Sequence, residues 1–165
     1  MKRLLFLALC LFGSVAQAVG LAQPQGPVVL TVFGNITHTN GDGIARFDRA
    51  MLAALEQRST TVNTPWFDGP RDFDGPLAAA ILDAVGANGS TMRVIALNEY
   101  SANVPIDDAR SFPVVFATHL NGEVMSVRDK GPLFLIYPFD EFPDLFNEVY
   151  FGRSVWQITQ IEVVE

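Results

Sequence analysis

Beyond its tenth residue this chain contains no cysteine. That fact removes disulfide scaffolds, thiol catalysis and Cys-rich zinc or iron–sulfur sites. It also sets a physical demand: a chain without covalent staples must be held by its apolar core. Cys10 itself stands inside a targeting pattern. Lys2 and Arg3 form a positive n-region, residues 4–12 an apolar h-region, and Ala16-Gln17-Ala18 a small-x-small cleavage site. The pattern predicts a secretory signal peptide over residues 1–18, cut after Ala18, and a periplasmic destination. Leu9 is too bulky for a lipoprotein signal ending in Cys10. The h-region is too short to span a bilayer. No other long apolar run follows, so no membrane insertion is expected after cleavage.

The length of 165 residues and a hydrophobic content of 49% predict one globular domain. The organisation read from the chain is a signal at 1–18, a flexible Gly/Pro/Gln leader at 19–27 and a single domain at 28–165. Formal net charge is −7. Without Lys2 and Arg3, nine of the 11 basic residues face 18 acidic ones, which gives −9. Such a chain is not a general nucleic-acid or anionic-membrane binder. Lys130 is then its one remaining lysine.

Strand signals are short and numerous. Residues 28–33, 59–64, 91–97, 101–106, 113–120, 133–137 and 154–164 are β-branched, apolar or alternating. Asn121-Gly122 is a hairpin signal. Two helices stand out. Asp48 can cap one that places Met51, Leu52 and Leu55 on a face. Pro76 suits the first position of another, with Leu77, Ile81, Leu82 and Val85 on its apolar face and Gly86 at its end. Asp107 can cap a single turn to Arg110. Residues 65–76 hold prolines, aspartates and glycines and read as loop around a short extended piece at Phe73. Residues 139–151 read as loop with a short helix. No βαβ rhythm and no repeat appears, so the predicted class is α+β with a mainly β core.

Most chemical motifs fail on register. Asp68, Asp72 and Asp74 precede Gly75, but a calcium loop in that register would start at Pro70 and end at Ile81, where a glutamate is required. Gly41-x-Gly43 lacks the third glycine of a dinucleotide loop. His38 and His119 lie far apart in the chain. No catalytic or metal-ligating set emerges. The scarce cations are more informative. Arg110, Arg128, Lys130 and Arg153 are candidates for one anion-binding pocket, because guanidinium and ammonium groups bind phosphate and carboxylate by charge-assisted hydrogen bonds. The competing use is pairing with the chain's own acids.

Several stretches taken in order resemble the molybdopterin-binding domain of the sulfite oxidase family. They are FDGPLAAAILDAVGA (73–87), ALNEYSANVPIDDA (96–109), VVFATHLNGEVM (114–125), GPLFLIYP (131–138) and YFGRSVWQITQIEV (150–163). The resemblance implies an α+β, sulfite oxidase-like molybdopterin-binding fold of mixed β-sheets with peripheral helices. In active relatives it implies a molybdenum centre held by the pterin dithiolene and a protein thiolate, with basic side chains on the cofactor phosphate. The chain departs at the ligands. Its stretch STTVNTPW (59–66) has no cysteine where the family places one. The histidine before the Gly-x-Pro-Leu stretch falls on or beside Asp129, and the lysine after Arg-x-Val is Trp156.

Two main expectations follow. In the first, the chain is a degenerate, cofactor-free, exported module that binds a small anion or a periplasmic protein partner. Arg128, Lys130, Arg153 and Arg110 would rim its cleft, and Trp66, Tyr100, Tyr137 and Trp156 could wall it. In the second, it is a molybdopterin-dependent oxidoreductase with a non-cysteine metal environment. There Arg128, Lys130 and Arg153 would hold the phosphate, and Thr64 or Asp68 would face the metal. A third reading is a structural protein whose aromatic segment 139–151 docks a partner.

Overall fold

The computed structural model describes residues 20–165; the predicted signal peptide lies outside them. Strand β1 (Val28–Gly34) buries Leu30 and Val32 in alternation, the pattern of a sheet with one covered face. Strand β2 (Ala45–Asp48) follows the Asp42-Gly43 turn. Helix α1 (Arg49–Ala53) starts where the Asp48 carboxylate accepts the Met51 amide at 2.8 Å. Strands β3 (Gln57–Val62) and β4 (Arg71–Pro76) pair antiparallel. Helix α2 (Ala78–Ala84) has Leu77 at its N-cap, and Gly86 turns left-handed after it.

The second half repeats the mixture. Strands β5 (Thr91–Ala96) and β6 (Ser101–Pro105) form a hairpin, followed by helix α3 (Ile106–Ser111). Strands β7 (Val115–Ala117), β8 (His119–Leu120) and β9 (Glu123–Val124) come next, with the β8–β9 hairpin turning at Asn121-Gly122. A 3-10 turn at Val127–Asp129 precedes β10 (Phe134–Ile136). A second 3-10 turn, helix α4 (Glu148–Arg153) and β11 (Ile158–Val164) close the chain.

These strands make three sheets. The largest has the order β2-β1-β11-β5-β6; β1 and β11 are parallel and the other pairs antiparallel. The second runs β3-β4-β8-β9, and the third is the two-stranded ribbon β7–β10. The ribbon explains the layout. All five residues from Leu133 to Tyr137 are fully buried. Because successive side chains point to opposite faces, Leu133, Leu135 and Tyr137 enter one apolar cluster and Phe134 and Ile136 the other. Phe116 and Val115 divide in the same way. The ribbon is therefore a partition between two cores. Gly75 makes its close approach to β4 possible, since a Cβ there would collide with the Phe116 carbonyl oxygen.

Four local expectations are corrected. Residues 71–76 form a central strand, because β3 and β8 pair on its two sides while Phe73 and Gly75 point inward. Pro76 ends that strand and does not open α2. Asp107 lies within the first turn of α3, whose N-cap is Pro105. Residues 113–120 break at Thr118, whose amide donates to the Asp74 carbonyl at 2.8 Å, so β7 and β8 join different sheets.

The leader makes defined contacts with the domain. The buried Asp48 carboxylate accepts the Gln25 and Gly26 amides at 2.7 and 2.8 Å, and Asn40 Nδ2 donates to the Ala22 carbonyl at 2.8 Å. The Met51 amide above all, then Gly26, favours ionised Asp48 against the opposing effect of burial, so its pKa lies below the ordinary 3.8. The resulting stability is present above the unfolded value and is lost as pH falls through the folded one. Asp48→Asn is thus expected to be less stable than the parent at neutral pH, with the gap closing on acidification. Urea titrations at about pH 7 and about pH 2 check this; an equal gap at both would show that the clamp does not depend on charge.

Candidate functional site

One open cavity of about 470 Å³ lies where four segments meet. The loop after β3 brings Trp66, and the β5–β6 turn brings Asn98 and Tyr100. Helix α4 supplies Glu148 and Phe151, and the approach to β11 supplies Ser154, Val155 and Trp156. Both tryptophans of the chain therefore stand on one wall. Ser154 and Val155 are buried, whereas Tyr100 and Trp156 are exposed at the mouth. Among the described residues Glu148 is the only charged side chain lining the cavity.

Phe134 supports this wall from below. Its ring centroid is 5.3 Å from Trp66 and 6.0 Å from Trp156, both edge-on, an arrangement favoured by the ring quadrupoles. Trp66 also meets Trp156 at 6.0 Å and Phe151 at 5.9 Å. The sequence places the rings on three segments, and β10 holds the residue that gathers them.

The backbone around the cavity is held in an unfavourable region. Glu99, Lys130 and Gln157 have φ of 66°, 71° and 56°. For residues with a Cβ this left-handed conformation costs on the order of 1–3 kcal/mol each, and it persists where the surroundings over-determine it. Here the determinants are visible. The Gln157 amide donates to the Lys130 carbonyl at 2.9 Å, and Gln157 Nε2 donates to the Val127 carbonyl at 2.8 Å. The Leu97 amide donates to the Gln157 carbonyl at 2.9 Å, tying β5 to the same knot. Trp156 is thereby fixed between two anchored residues.

The four predicted cations receive different neighbours, and none lines this cavity. Lys130 lies beside Trp156, with Nζ 4.2 Å from the Trp156 ring centroid and 5.7 Å from that of Phe67. Arg153 donates to Asp108 Oδ2 at 2.8 Å, where the Tyr137 hydroxyl also donates at 2.7 Å. Burial first, then the hydrogen bond to Asp108, raises the Tyr137 pKa far above its ordinary range. Arg110 of α3 pairs with Asp83 of α2 at 2.7 Å. Arg128 is exposed on the 3-10 turn and makes no ion pair among the described residues. The charge that competes for Arg153 and Arg110 is thus the chain's own.

Of the four aromatics expected to wall a cleft, Trp66, Tyr100 and Trp156 do line the cavity, whereas Tyr137 is core. Glu148, Asn98 and Phe151 were not singled out by sequence. The i,i+3 spacing of Glu148 and Phe151 on a helix was the available signal. His38 and His119 bind locally, to the Ala84 carbonyl and the Thr118 hydroxyl. Among the described residues no group of three or more His, Cys, Asp or Glu side chains could hold a metal.

No protein-family model matches the sequence, and no curated protein matches it significantly. The fold is similar to that in the crystal structure of the sulfane dehydrogenase SoxCD from Paracoccus pantotrophus. The TM-score is 0.60 at 12% identity, over 82% of this chain and 37% of that chain. The chain thus spans well under half the length of that neighbour. The likeness shows an α+β, sulfite oxidase-like fold.

The molybdopterin implied by the family resemblance does not fit the donors present. The described residues contain no cysteine to supply a thiolate. Arg153 and Arg110 are neutralised by carboxylates, and the cavity wall carries a negative charge where a cofactor phosphate would need positive ones.

Proposed function

We propose that this chain is an exported, non-catalytic binding module built on an oxidoreductase-type fold, and that its ligand enters the aromatic cavity. The observation that carries this reading is the convergence of Trp66, Tyr100, Phe151 and Trp156 on one open cavity bordered by three left-handed residues. Such a cavity works by desolvation and orientation. Its buried floor takes the apolar body of a ligand, and Asn98 and Glu148 at the mouth select the polar end. The N-terminal targeting pattern supports export. A small-anion ligand would have to use Arg128 and Lys130, since Arg153 and Arg110 are already paired.

A second reading, a molybdopterin-dependent oxidoreductase, is favoured by one atom. Thr64 Oγ1 is buried without a hydrogen-bond partner, in the stretch where the family places its metal ligand. One measurement separates the two. Protein purified from a molybdenum-replete host is expected to carry neither stoichiometric molybdenum nor pterin fluorescence, before or after reconstitution. One metal per chain would overturn the binding-module reading in favour of the second.

A further inference from the structure

We propose that the ligand of this cavity is an organic ammonium ion. The inference rests on the binding-module reading and adds the chemistry of the ligand to it. An aromatic ring presents a negative face, and a cation over that face is attracted by the ring quadrupole, most strongly for tryptophan. Trp66, Tyr100, Phe151 and Trp156 all contribute to this wall. The single charge among the lining side chains is the Glu148 carboxylate. An anion entering here would meet aromatic rings and a like charge, which disfavours it. A neutral ligand would bury apolar surface but gain nothing from the exposed Glu148 carboxylate. A cation with an apolar shell satisfies both features: its carbon groups pack on the floor and its charge faces the rings and Glu148.

Lys130 Nζ sits 4.2 Å from the Trp156 ring centroid, so that ring already holds the chain's own ammonium group, and the ligand's charge is left to Trp66, Tyr100, Phe151 and Glu148. In addition the chain carries a formal net charge of −7, whose field raises the local concentration of cations. The rigid backbone at Glu99 and Gln157 fixes the turn carrying Tyr100 and the segment carrying Trp156. Little ordering is then required on binding, which favours affinity in a small site.

The test uses three probes on the purified protein: choline, its neutral carbon isostere 3,3-dimethylbutan-1-ol, and benzoate. Both tryptophans line the cavity, so intrinsic fluorescence reads occupancy, with calorimetry as the second readout. Choline is expected to give a saturable change, with the isostere at least about tenfold weaker because the cation–π attraction is lost. Glu148→Gln is expected to weaken choline about two- to fivefold, the range for a solvent-exposed charge pair, and to leave the isostere unchanged. Equal binding of choline and isostere, or tighter binding of benzoate, would overturn the ammonium assignment and leave the binding-module reading standing. An unchanged choline affinity in Glu148→Gln would overturn it too. Silence to all three probes would overturn both.

Discussion

Phe134→Ala is expected to destabilise the protein by about 3–5 kcal/mol, the cost of removing a fully buried phenyl ring. The value belongs at the upper end because the site cannot easily collapse. Phe134 contacts Phe73, Trp66 and Trp156 edge-on, from three different segments. Each is anchored elsewhere, so a cavity would remain. The same substitution removes the common neighbour of both tryptophans. Their emission should therefore shift in the folded state, before any unfolding. Urea denaturation followed by fluorescence and by circular dichroism reads both effects. A loss below about 1 kcal/mol would show that the aromatic wall does not depend on β10.

Removing the carboxylate of Asp108 is the second large effect. Asp108→Ala leaves the Tyr137 hydroxyl and the Arg153 guanidinium without their shared acceptor. The Arg153 side chain is 24% exposed and that of Asp108 10%, so part of the penalty is relieved by water. The expected loss is about 3 kcal/mol, the low end for breaking a buried pair from one side. Tyr137→Phe should cost less, about 1 kcal/mol, because Asp108 keeps Arg153. A loss within about 0.5 kcal/mol for Asp108→Ala would reduce the network to an ordinary surface pair.

The network also sets a pH response. The Tyr137 pKa is raised in the folded state above its ordinary 10.0, so the associated stability is complete below that value. It is lost as pH rises beyond it, because the unfolded chain ionises first. Tyr137→Phe should remove this share of the alkaline loss. An alkaline stability profile identical in parent and variant would contradict the assignment.

The sequence was most legible where structure is local. The apolar face of α2 at Ile81, Leu82 and Val85 is buried as its spacing predicts. Asn121 and Gly122 adopt the positive φ of 50° and 80° that such a dipeptide signals in a hairpin. The run 133–137 is wholly buried. Strand β4 was hidden, because its proline, glycine and aspartates read as loop and its stability comes from β3 and β8, which pair from elsewhere in the chain.

The same distinction governs the site. Trp66, Tyr100 and Trp156 were conspicuous as large aromatics, but Glu148 and Asn98 are polar and exposed in their own segments. Only tertiary structure brings them together. Arg153 shows the converse. Its charge invited a ligand, but its partner Asp108 stands 45 residues away in sequence, on another helix.

The partition formed by β7 and β10 bears on how such a protein can change over time. Its residues need only be apolar, of suitable volume and correctly alternated, a requirement many sequences meet. Its hydrogen bond to the cavity lining, from the Leu135 amide to the Val155 carbonyl at 2.9 Å, uses backbone atoms alone. The exposed polar groups Asn98 and Glu148 can therefore be exchanged without disturbing the wall on which both cores rest. A likeness of fold at 12% identity accords with that independence.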